Sequence, residues 1–415
     1  MDILMAIGGM AALALIAIIF SSNPKAINLR TVIGAFAIQA AIGAFVMMTS
    51  VGASVLGSIS TGVSSVITSA DAGIEFLFGN LVNFSVDGVG FIFAFKVLPI
   101  IIFFASLMSV LYYIGVMQFI IKVFGGALQK ALGTSRTESM SAAANVFVGQ
   151  TEAPLVVKPF LKTMTRSELF AVMAGGLASV AGAVLAGYAA LGVSLDYLIA
   201  ASFMAAPGGL LMAKLLEPET ETVQEQLSTI TAEDSEKDSV EGPVNVVDAA
   251  AIGASDGLSL ALNVGAMLIA FIALIALLNQ ILGGFGGLFG MENLTLEIIL
   301  GYLFSPIAFI LGVPWSEALQ AGSLLGQKLV VNEFVAFISF VQMPDLSEHT
   351  KVIMTVALCG FANLSSMAIL LGGLGVLAPS RRPDIARMGL KAVLAGTLSN
   401  FMSATLMGMF FLIMS

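Results

Sequence analysis

The stretch Gly149-Gln150-Thr151-Glu152-Ala153-Pro154 places three neighbouring polar side chains inside a strongly apolar chain. A second short polar stretch, Asn332-Glu333-Phe334, lies in the other half of the chain. An acidic side chain at membrane depth costs about 2.5–3.5 kcal/mol on insertion scales. A chain that keeps two such acids at corresponding places is predicted to use them to bind a solute within the membrane.

The composition around these stretches is that of a membrane protein. Of the 415 residues, 58% are hydrophobic and 10% are charged, whereas a soluble domain carries about 25% charged residues. Apolar runs of spanning length predict an all-α polytopic membrane protein with the lipid bilayer as its surroundings. The single cysteine and the single histidine, Cys359 and His349, exclude an intrachain disulfide and argue against a zinc site.

Eight hydrophobic runs are long enough to cross the bilayer as helices. They occupy residues 4–20, 31–49, 91–113, 167–191, 195–215, 261–283, 351–376 and 388–413. Shorter amphipathic or Gly- and Ser-rich stretches are predicted to form interfacial helices, at residues 50–90, 115–132 and 296–311. Two polar, interrupted segments are predicted to be re-entrant hairpins that enter the membrane and turn back, residues 133–165 and 312–345.

With re-entrant hairpins, the basic side chains between the spans fall on one side of the membrane. They include Lys25, Arg136, Lys214 and Arg381. The positive-inside rule assigns that side to the cytoplasm. Both termini are therefore predicted to face outward, and residues 216–248 are predicted to form an acidic cytoplasmic loop. If each interrupted segment crossed the membrane once instead, the basic loops would lie on both sides.

The two halves of the chain share one order of elements. Residues 132–142 resemble residues 311–321, and each of these segments precedes one of the two polar stretches. A span and a short amphipathic helix come before each unit, and two spans follow it. The first unit starts from the cytoplasm and the second from outside, so the repeat is inverted. Inverted repeats with interrupted helices near the midplane are the architecture of secondary transporters.

Local signals shape the first hairpin. Ser135-x-x-Glu138 is a capping box that starts a half-helix running to about Gly149, and Pro154 is best placed in the first turn of the next half-helix. The tip between them then carries the amide, hydroxyl and carboxylate groups of Gln150, Thr151 and Glu152. Such a set suits a neutral, hydrogen-bonding solute. A polar tip that only shapes the hairpin is the alternative.

The second tip carries a carboxylate that suits a sugar. Glu333 can accept hydrogen bonds from both hydroxyls of a vicinal diol such as a ribose. Asn363 and Ser366 follow on the next span, at a break predicted at Gly360. Small serines in this span can equally serve helix packing. Phe361 can face a planar ligand or belong to the core.

The first half-helix and the Gly-rich span after the hairpin carry oxygens suited to a small cation. Asn145 lies one turn before the first tip, close to Val148, and Ser179 lies in the middle of the span. Side-chain and backbone oxygens around a helix break can hold a dehydrated sodium ion. Lys328, one turn before Asn332, is predicted to pair with a nearby acid or carbonyl rather than with a substrate.

Three motifs of this chain resemble those of the concentrative nucleoside transporters of the bacterial branch. They are Gly149-Gln150-Thr151-Glu152-Ala153-Pro154, Asn332-Glu333-Phe334 and Gly360-Phe361-Ala362-Asn363-Leu364-Ser365-Ser366. The likeness covers nearly the whole chain. It implies a homotrimer in which each protomer transports alone and a scaffold holds a transport domain. The scaffold parts are residues 1–132 and 249–311, and the transport parts are residues 133–215 and 312–415.

The resemblance also implies the site residues. The nucleobase is expected to contact Gln150, Thr151, Glu152 and Val184, with Phe361 nearby. The ribose is expected to be held by Glu333, Asn363 and Ser366. The sodium ion is expected at Asn145, Val148, Ser179 and Val180, the valines contributing backbone carbonyls.

The predicted function is import of nucleosides such as uridine by symport with sodium, through elevator-type alternating access in a bacterial inner membrane. Some bacterial relatives use protons, so a proton-coupled symporter is the alternative. A channel and an intramembrane hydrolase are more remote classes, because a hydrolase needs paired aspartates, a Ser-His couple or a metal-binding helix. No cofactor, nucleic-acid partner or enzymatic activity is predicted.

Overall fold

The chain is helical almost throughout the part that the structure describes. The computed structural model describes residues 2–82, 92–223, 242–288, 290–291 and 293–414, and none of these lies in a β-strand. The helices before the acidic loop are α1 (Asp2–Ile19), α2 (Leu29–Met48), α3 (Ser50–Phe78), α4 (Phe93–Lys96), α5 (Leu98–Tyr113), α6 (Val116–Leu132), α7 (Arg136–Ala144), α8 (Arg166–Ala178), α9 (Gly182–Ala190) and α10 (Leu195–Leu216). Those after it are α11 (Val246–Gly287), α12 (Leu296–Ile310), α13 (Ala318–Val330), α14 (Glu333–Val341), α15 (Glu348–Leu358), α16 (Leu364–Leu377) and α17 (Arg382–Met414). The predicted all-α class is confirmed.

Within the described residues, seven helices are long and apolar enough to cross a membrane. They are Leu29–Met48, Ser50–Phe78, Phe93–Tyr113, Arg166–Ala190, Leu195–Leu216, Val246–Gly287 and Pro379–Met414. The spans predicted at 4–20 and 351–376 correspond to shorter helices, α1 and the pair α15–α16. The single long helix α3 occupies the stretch predicted to be interfacial, and its place relative to the bilayer stays a prediction. Residues 83–91 lie outside the described part.

The span predicted at 167–191 is present but interrupted. The first part, α8, ends at Ala178, and α9 begins at Gly182. Ser179 has an extended backbone, with φ −108° and ψ 175°, which ends the helix. The backbone groups freed by the break find distant partners. The Ala178 carbonyl accepts from Asn400 Nδ2 at 2.6 Å, and the Gly182 N–H donates to the Phe147 carbonyl at 3.0 Å.

The break predicted at Gly360 is confirmed. The helix before it, α15, ends at Leu358, and α16 starts only at Leu364. Asn363 caps α16, because its Oδ1 accepts a hydrogen bond from the Ser366 N–H at 2.8 Å. The two interrupted helices therefore place irregular backbone at two points of the protein interior.

The first hairpin starts as predicted but turns earlier. The capping box is present, since Ser135 Oγ accepts from the Glu138 N–H at 3.3 Å and Glu138 Oε2 accepts from the Ser135 N–H at 3.0 Å. The predicted end near Gly149 was wrong, because α7 ends at Ala144. After Ala144 some backbone hydrogen bonds span three residues instead of four, such as that from the Phe147 N–H to the Ala144 carbonyl at 3.0 Å.

The two hairpins have similar residues at their helix ends and turns. Pro154 lies in the first turn of a 3₁₀ helix, Ala153–Phe160, as predicted. In the second hairpin, Asn332 separates α13 from α14 and caps α14 by accepting from the Val335 N–H at 2.9 Å. Gly133 and Gly312 precede the hairpins with φ of 67° and 105°, a conformation that glycine adopts most readily. These features support the internal repeat, while its inversion and the re-entrant course stay predictions.

The helix predicted at 261–283 is longer than expected. It corresponds to α11, which starts at Val246, so the acidic loop predicted at 216–248 ends earlier than expected, and residues 224–241 of it lie outside the described part. Gly253 and Gly257 let α11 lie close against α5, because a Cβ at either position would overlap Ala105 or Ser109. Small residues at such crossings are typical of membrane helices.

The hairpin-side helices form the centre of the molecule. In Arg166–Ala190 and Leu195–Leu216, 94% of the most apolar window is buried within the protein, against 11% in Val246–Gly287. The polar stretches therefore lie among buried helices, and α11 lies at the periphery.

Candidate functional site

The turn at the first tip is held by the carboxylate of Glu152. Glu152 Oε2 accepts a hydrogen bond from the Gly149 N–H at 2.7 Å, which holds the turn. Gln150 is 5% exposed, and its Oε1 has no hydrogen-bond partner among the described residues. Thr151 packs on α16, since a Cβ at Gly373 would lie 3.0 Å from Thr151 Cγ2. The tip both shapes the hairpin and presents an unpaired amide oxygen.

Two adjacent glycines of α8 receive the polar side chains of the first hairpin. A Cβ at Gly175 would lie 3.2 Å from Asn145 Nδ2, and one at Gly176 would lie 2.9 Å from Gln150 Cβ. Asn145 is 1% exposed, and neither atom of its amide bonds to any described residue. Buried polar atoms cost free energy unless they are hydrogen-bonded. The Asn145 amide is therefore a candidate group for contact with a polar ligand.

The four residues predicted to hold sodium lie on two segments tied to each other. Asn145 and Val148 follow α7, and Ser179 and Val180 follow α8. Both valines are buried, and Ser179 Oγ donates to the Gly176 carbonyl at 3.4 Å. The hydrogen bond between the Gly182 N–H and the Phe147 carbonyl joins the two segments. Residues that are far apart in sequence thus meet at two helix ends.

The second tip holds a buried carboxylate between two donors. Glu333 is the first residue of α14 and is 4% exposed. The Tyr188 hydroxyl donates to Oε1 at 3.0 Å, and Asn363 Nδ2 donates to Oε2 at 2.9 Å. The other end of the Asn363 amide accepts from the Ser366 N–H and, at 2.7 Å, from Ser365 Oγ. A carboxylate has about four acceptor positions, so Glu333 retains room for further donors.

The two tips are joined through the two broken helices. The Phe361 N–H donates to the Ser179 carbonyl at 3.1 Å, which links the break after α15 to the break after α8. Val184 is buried on α9, and Tyr188 follows it by one helical turn. The Tyr188 ring packs on Phe334 with centroids 4.8 Å apart. The structure therefore connects the predicted nucleobase and ribose residues through α9 and the breaks.

Sequence reasoning missed two polar residues. Tyr188 orients the Glu333 carboxylate, and its place one turn after Val184 on the same helix face was a usable signal. Asn400 is a buried amide within an apolar helix, the same kind of signal that singled out Asn363. The prediction for Lys328 is confirmed, because its ammonium donates to the Ala357 carbonyl at 2.6 Å.

Three family profiles match this chain. The profile described as Na+ dependent nucleoside transporter N-terminus matches residues 8–81, and the one described as nucleoside recognition matches residues 94–195. The profile described as Na+ dependent nucleoside transporter C-terminus matches residues 197–408, more than half of the chain. The chain belongs to the Na+ dependent nucleoside transporter family. The predicted resemblance is confirmed, and the chain is a transporter rather than an enzyme.

Known members of the family resemble the transporter along its whole length. Nucleoside permease NupC of Helicobacter pylori is 55% identical, over 98% of this chain and 97% of that protein. The structure of CNTnw in an inward-facing substrate-bound state matches with a TM-score of 0.94 and 59% identity, covering 100% of this chain and 99% of that chain. A CNTnw variant in an outward-facing state matches with a TM-score of 0.94 and 58% identity, over the same shares. The family therefore has inward- and outward-facing states.

Proposed function

We propose that this transporter imports nucleosides such as uridine together with sodium, by an elevator-type movement between inward- and outward-facing states. The main support for a nucleoside as the substrate is the Glu333 carboxylate, which is buried and hydrogen-bonded from two sides by Tyr188 and Asn363. Its remaining acceptor positions match the two adjacent hydroxyls of a ribose.

Glu333, Asn363 and Ser366 are the proposed ribose residues. One chain of hydrogen bonds holds them, because the Asn363 amide donates to Glu333 and accepts from the Ser366 N–H. A site fixed in this way loses little side-chain entropy when the ribose binds. It also rejects a solute without hydroxyls, because the carboxylate would be desolvated without new donors.

The first tip and α9 are the proposed nucleobase site. Gln150, Thr151 and Glu152 supply donors and acceptors at the tip, and the Gln150 Oε1 atom is buried without a partner among the described residues. Val184 and the half-buried Phe361 supply apolar and aromatic surface for a planar base. An amide head that both donates and accepts suits the edge of a neutral base.

Asn145, Val148, Ser179 and Val180 are the proposed sodium residues. Asn145 Oδ1 is a buried oxygen without a partner among the described residues, and hard cations take oxygen ligands. The Ser179 hydroxyl and the backbone carbonyls of Val148 and Val180 complete the proposed set. The sodium dependence in the family's description favours sodium over the proton-coupled alternative.

The proposed assembly is a homotrimer in a bacterial inner membrane, with both termini outside. Residues 1–132 and 249–311 form the proposed scaffold, and residues 133–215 and 312–415 form the proposed transport domain. Both hairpins and both helix breaks fall in the transport domain, so the two ligand sites would move together. The peripheral helix α11 exposes most of its apolar surface, which suits contact with lipid or a neighbouring subunit.

The test is radiolabelled uridine uptake into proteoliposomes at two pH values. An inward sodium gradient is expected to drive accumulation above equilibrium, and replacement of sodium by choline is expected to abolish it. Accumulation driven by a pH gradient in choline would support the proton-coupled alternative instead. Uptake independent of any gradient would contradict coupled transport.

The same vesicles test the substrate class. Unlabelled ribonucleosides are expected to compete with uridine, whereas free nucleobases and free ribose are expected to compete weakly, because each fills only one half of the proposed site. Competition by a free base as strong as that by uridine would contradict the role given to Glu333.

A further inference from the structure

Lys328 and Asn400 meet where the two interrupted helices end, at the breaks after α8 and after α15. Lys328 lies in the last turn of α13 and is 0% exposed, and Asn400 lies within α17 and is 3% exposed. Neither residue belongs to the proposed nucleoside or sodium site. A buried cation and a buried amide at one place require a physical explanation, since each is costly without partners.

One hydrogen bond joins the two side chains, and three connect them to two helix ends. Lys328 Nζ donates to the Ala357 carbonyl at 2.6 Å and to Asn400 Oδ1 at 2.8 Å. Asn400 Nδ2 donates to the Ala178 carbonyl at 2.6 Å and to the Cys359 carbonyl at 3.0 Å. Chemistry fixes the orientation of the amide, because an ammonium only donates and carbonyls only accept.

The accepting carbonyls are those that helix termination leaves without partners. Ala178 is the last residue of α8, while Ala357 and Cys359 lie at the end of α15. The last carbonyls of a helix lack intrahelical donors and carry the negative end of its dipole. A lysine and an amide are therefore the groups that stabilise both broken ends at once. A Cβ at Gly360 would overlap the Asn400 amide, which explains the glycine there.

The two ends lead directly into the two proposed ligand sites. Ser179, a proposed sodium residue, follows Ala178, and Phe361 and Asn363 follow Cys359. The Phe361 N–H bond to the Ser179 carbonyl is a second link between the same two segments. The single side chain of Asn400 is therefore bonded to both broken ends.

We propose that the Lys328–Asn400 pair transmits sodium binding at the break after α8 to nucleoside binding at the break after α15. The inference rests on the proposed function. Both members are positioning residues that act through Ser179 and Asn363 and touch neither ligand. A pair that only stabilised the fold would change the melting temperature and leave the effect of sodium on nucleoside affinity intact.

The test is the ratio of the uridine Kd in choline chloride to that in sodium chloride, measured by calorimetry on the purified full-length protein. Asn400→Asp keeps the size of the side chain and its bond from Lys328, but it loses both donors to the helix ends. Couplings between sites are commonly about 5–150-fold, and the ratio in this variant is expected to fall to within about twofold of one. The uridine Kd in choline is expected to change little.

Ser399→Ala is the matched control, because Ser399 is buried beside Asn400 on the same helix and its hydroxyl bonds to no described residue. Its ratio is expected to equal that of the wild type. Lys328→Met is the second variant; it frees the amide orientation and is expected to reduce the ratio as well. Lys328→Arg, which keeps the charge, is expected to restore part of it.

A folded Asn400→Asp or Lys328→Met variant whose ratio of Kd values equals that of the wild type would overturn the proposal. So would an equal loss of uridine affinity in sodium and in choline, because that result indicates a structural role alone. If the uridine affinity of the wild type does not depend on sodium, the proposed sodium coupling is refuted instead. Failure of the Lys328–Asn400 proposal and failure of the sodium coupling are therefore distinguishable.

Discussion

Glu333→Gln tests the ribose site with little change of shape. The amide has the size of the carboxylate, and the Tyr188 hydroxyl can accept from an amide nitrogen as readily as it donates to an oxygen. The amide oxygen can then still accept from Asn363, which donates to Glu333 at 2.9 Å in the native protein. The fold is therefore expected to tolerate the variant.

The expected loss of affinity comes from the acceptors that disappear. A hydrogen bond to a charged group contributes about 1.5–3 kcal/mol, and a neutral one about 1 kcal/mol. The amide nitrogen cannot accept, so one ribose hydroxyl loses its acceptor and the other meets a neutral oxygen. The sum is about 2–5 kcal/mol, which corresponds to roughly 30-fold to several-thousand-fold weaker binding of uridine.

The assay compares uridine with 2′,3′-dideoxyuridine, which lacks both hydroxyls. Calorimetry on the wild type and the variant gives four Kd values, and their double-mutant cycle isolates the interaction with the diol. The variant is expected to bind the dideoxy analogue within about threefold of the wild type, since no acceptor is lost to that ligand. Equal losses for both ligands, or near-normal uridine affinity, would refute the assignment of Glu333 to the ribose.

Further predictions address the first tip, the start of the first hairpin and the α5–α11 contact. Gly176→Ala places a Cβ 2.9 Å from Gln150 Cβ and is expected to weaken uridine binding at least about tenfold by displacing the tip. Gly57→Ala is the control, because a Cβ there has nothing within 4 Å, and its uridine Kd is expected to stay unchanged. Equal Kd values for the two variants would contradict this packing. Lys214→Met leaves the buried Glu138 without its cation, and the free energy of unfolding is expected to fall by about 3–5 kcal/mol. Its melting temperature is expected to lie below that of Lys351→Met, which removes the cation of the more exposed pair with Glu348. Similar melting temperatures of the two variants would contradict this prediction. Gly257→Leu is expected to destabilise the protein through contact with Ala105 and Ile102, whereas Gly284→Leu meets open space; similar melting temperatures of these two variants would refute the close approach of the helices.

Composition and local signals predicted most of the architecture. The capping box at Ser135 and Glu138 and the break near Gly360 are encoded within a few residues, so they could be found without tertiary information. The break after Ala178 could not, because the Gly- and Ala-rich pattern of that span is compatible with a continuous helix. The helix end at Ala178 is bonded by the amide of Asn400, which lies 222 residues further along the chain, so no local pattern reveals it.

The end of α7 shows the same limit. Nothing in the residues after Ala144 forbids a helix up to Gly149, yet the Phe147 carbonyl is taken by the Gly182 N–H. That bond joins the segment after α7 to the start of α9, a contact that no local pattern predicts. The Asn145 amide beside it has no partner among the described residues.

The polar residues of the site were predictable because burying them is costly without a function. Glu333 and Asn363 stood out for that reason, and the structure joins them by a hydrogen bond at 2.9 Å. Tyr188 was missed, because a tyrosine in an apolar helix is compatible with ordinary packing and its place one turn after Val184 was the one sequence signal. The bond of its hydroxyl to Glu333 gives it a role in the site.

The most direct test of sodium-coupled nucleoside transport is the linkage between the two ligands. The uridine Kd is measured by calorimetry across a series of sodium concentrations, with choline keeping the ionic strength constant, for the wild type and for Asn145→Leu. Sodium is expected to lower the Kd in the wild type and to have no effect in the variant, because bound ion and bound nucleoside stabilise each other. A uridine Kd that is independent of sodium in the wild type would contradict it.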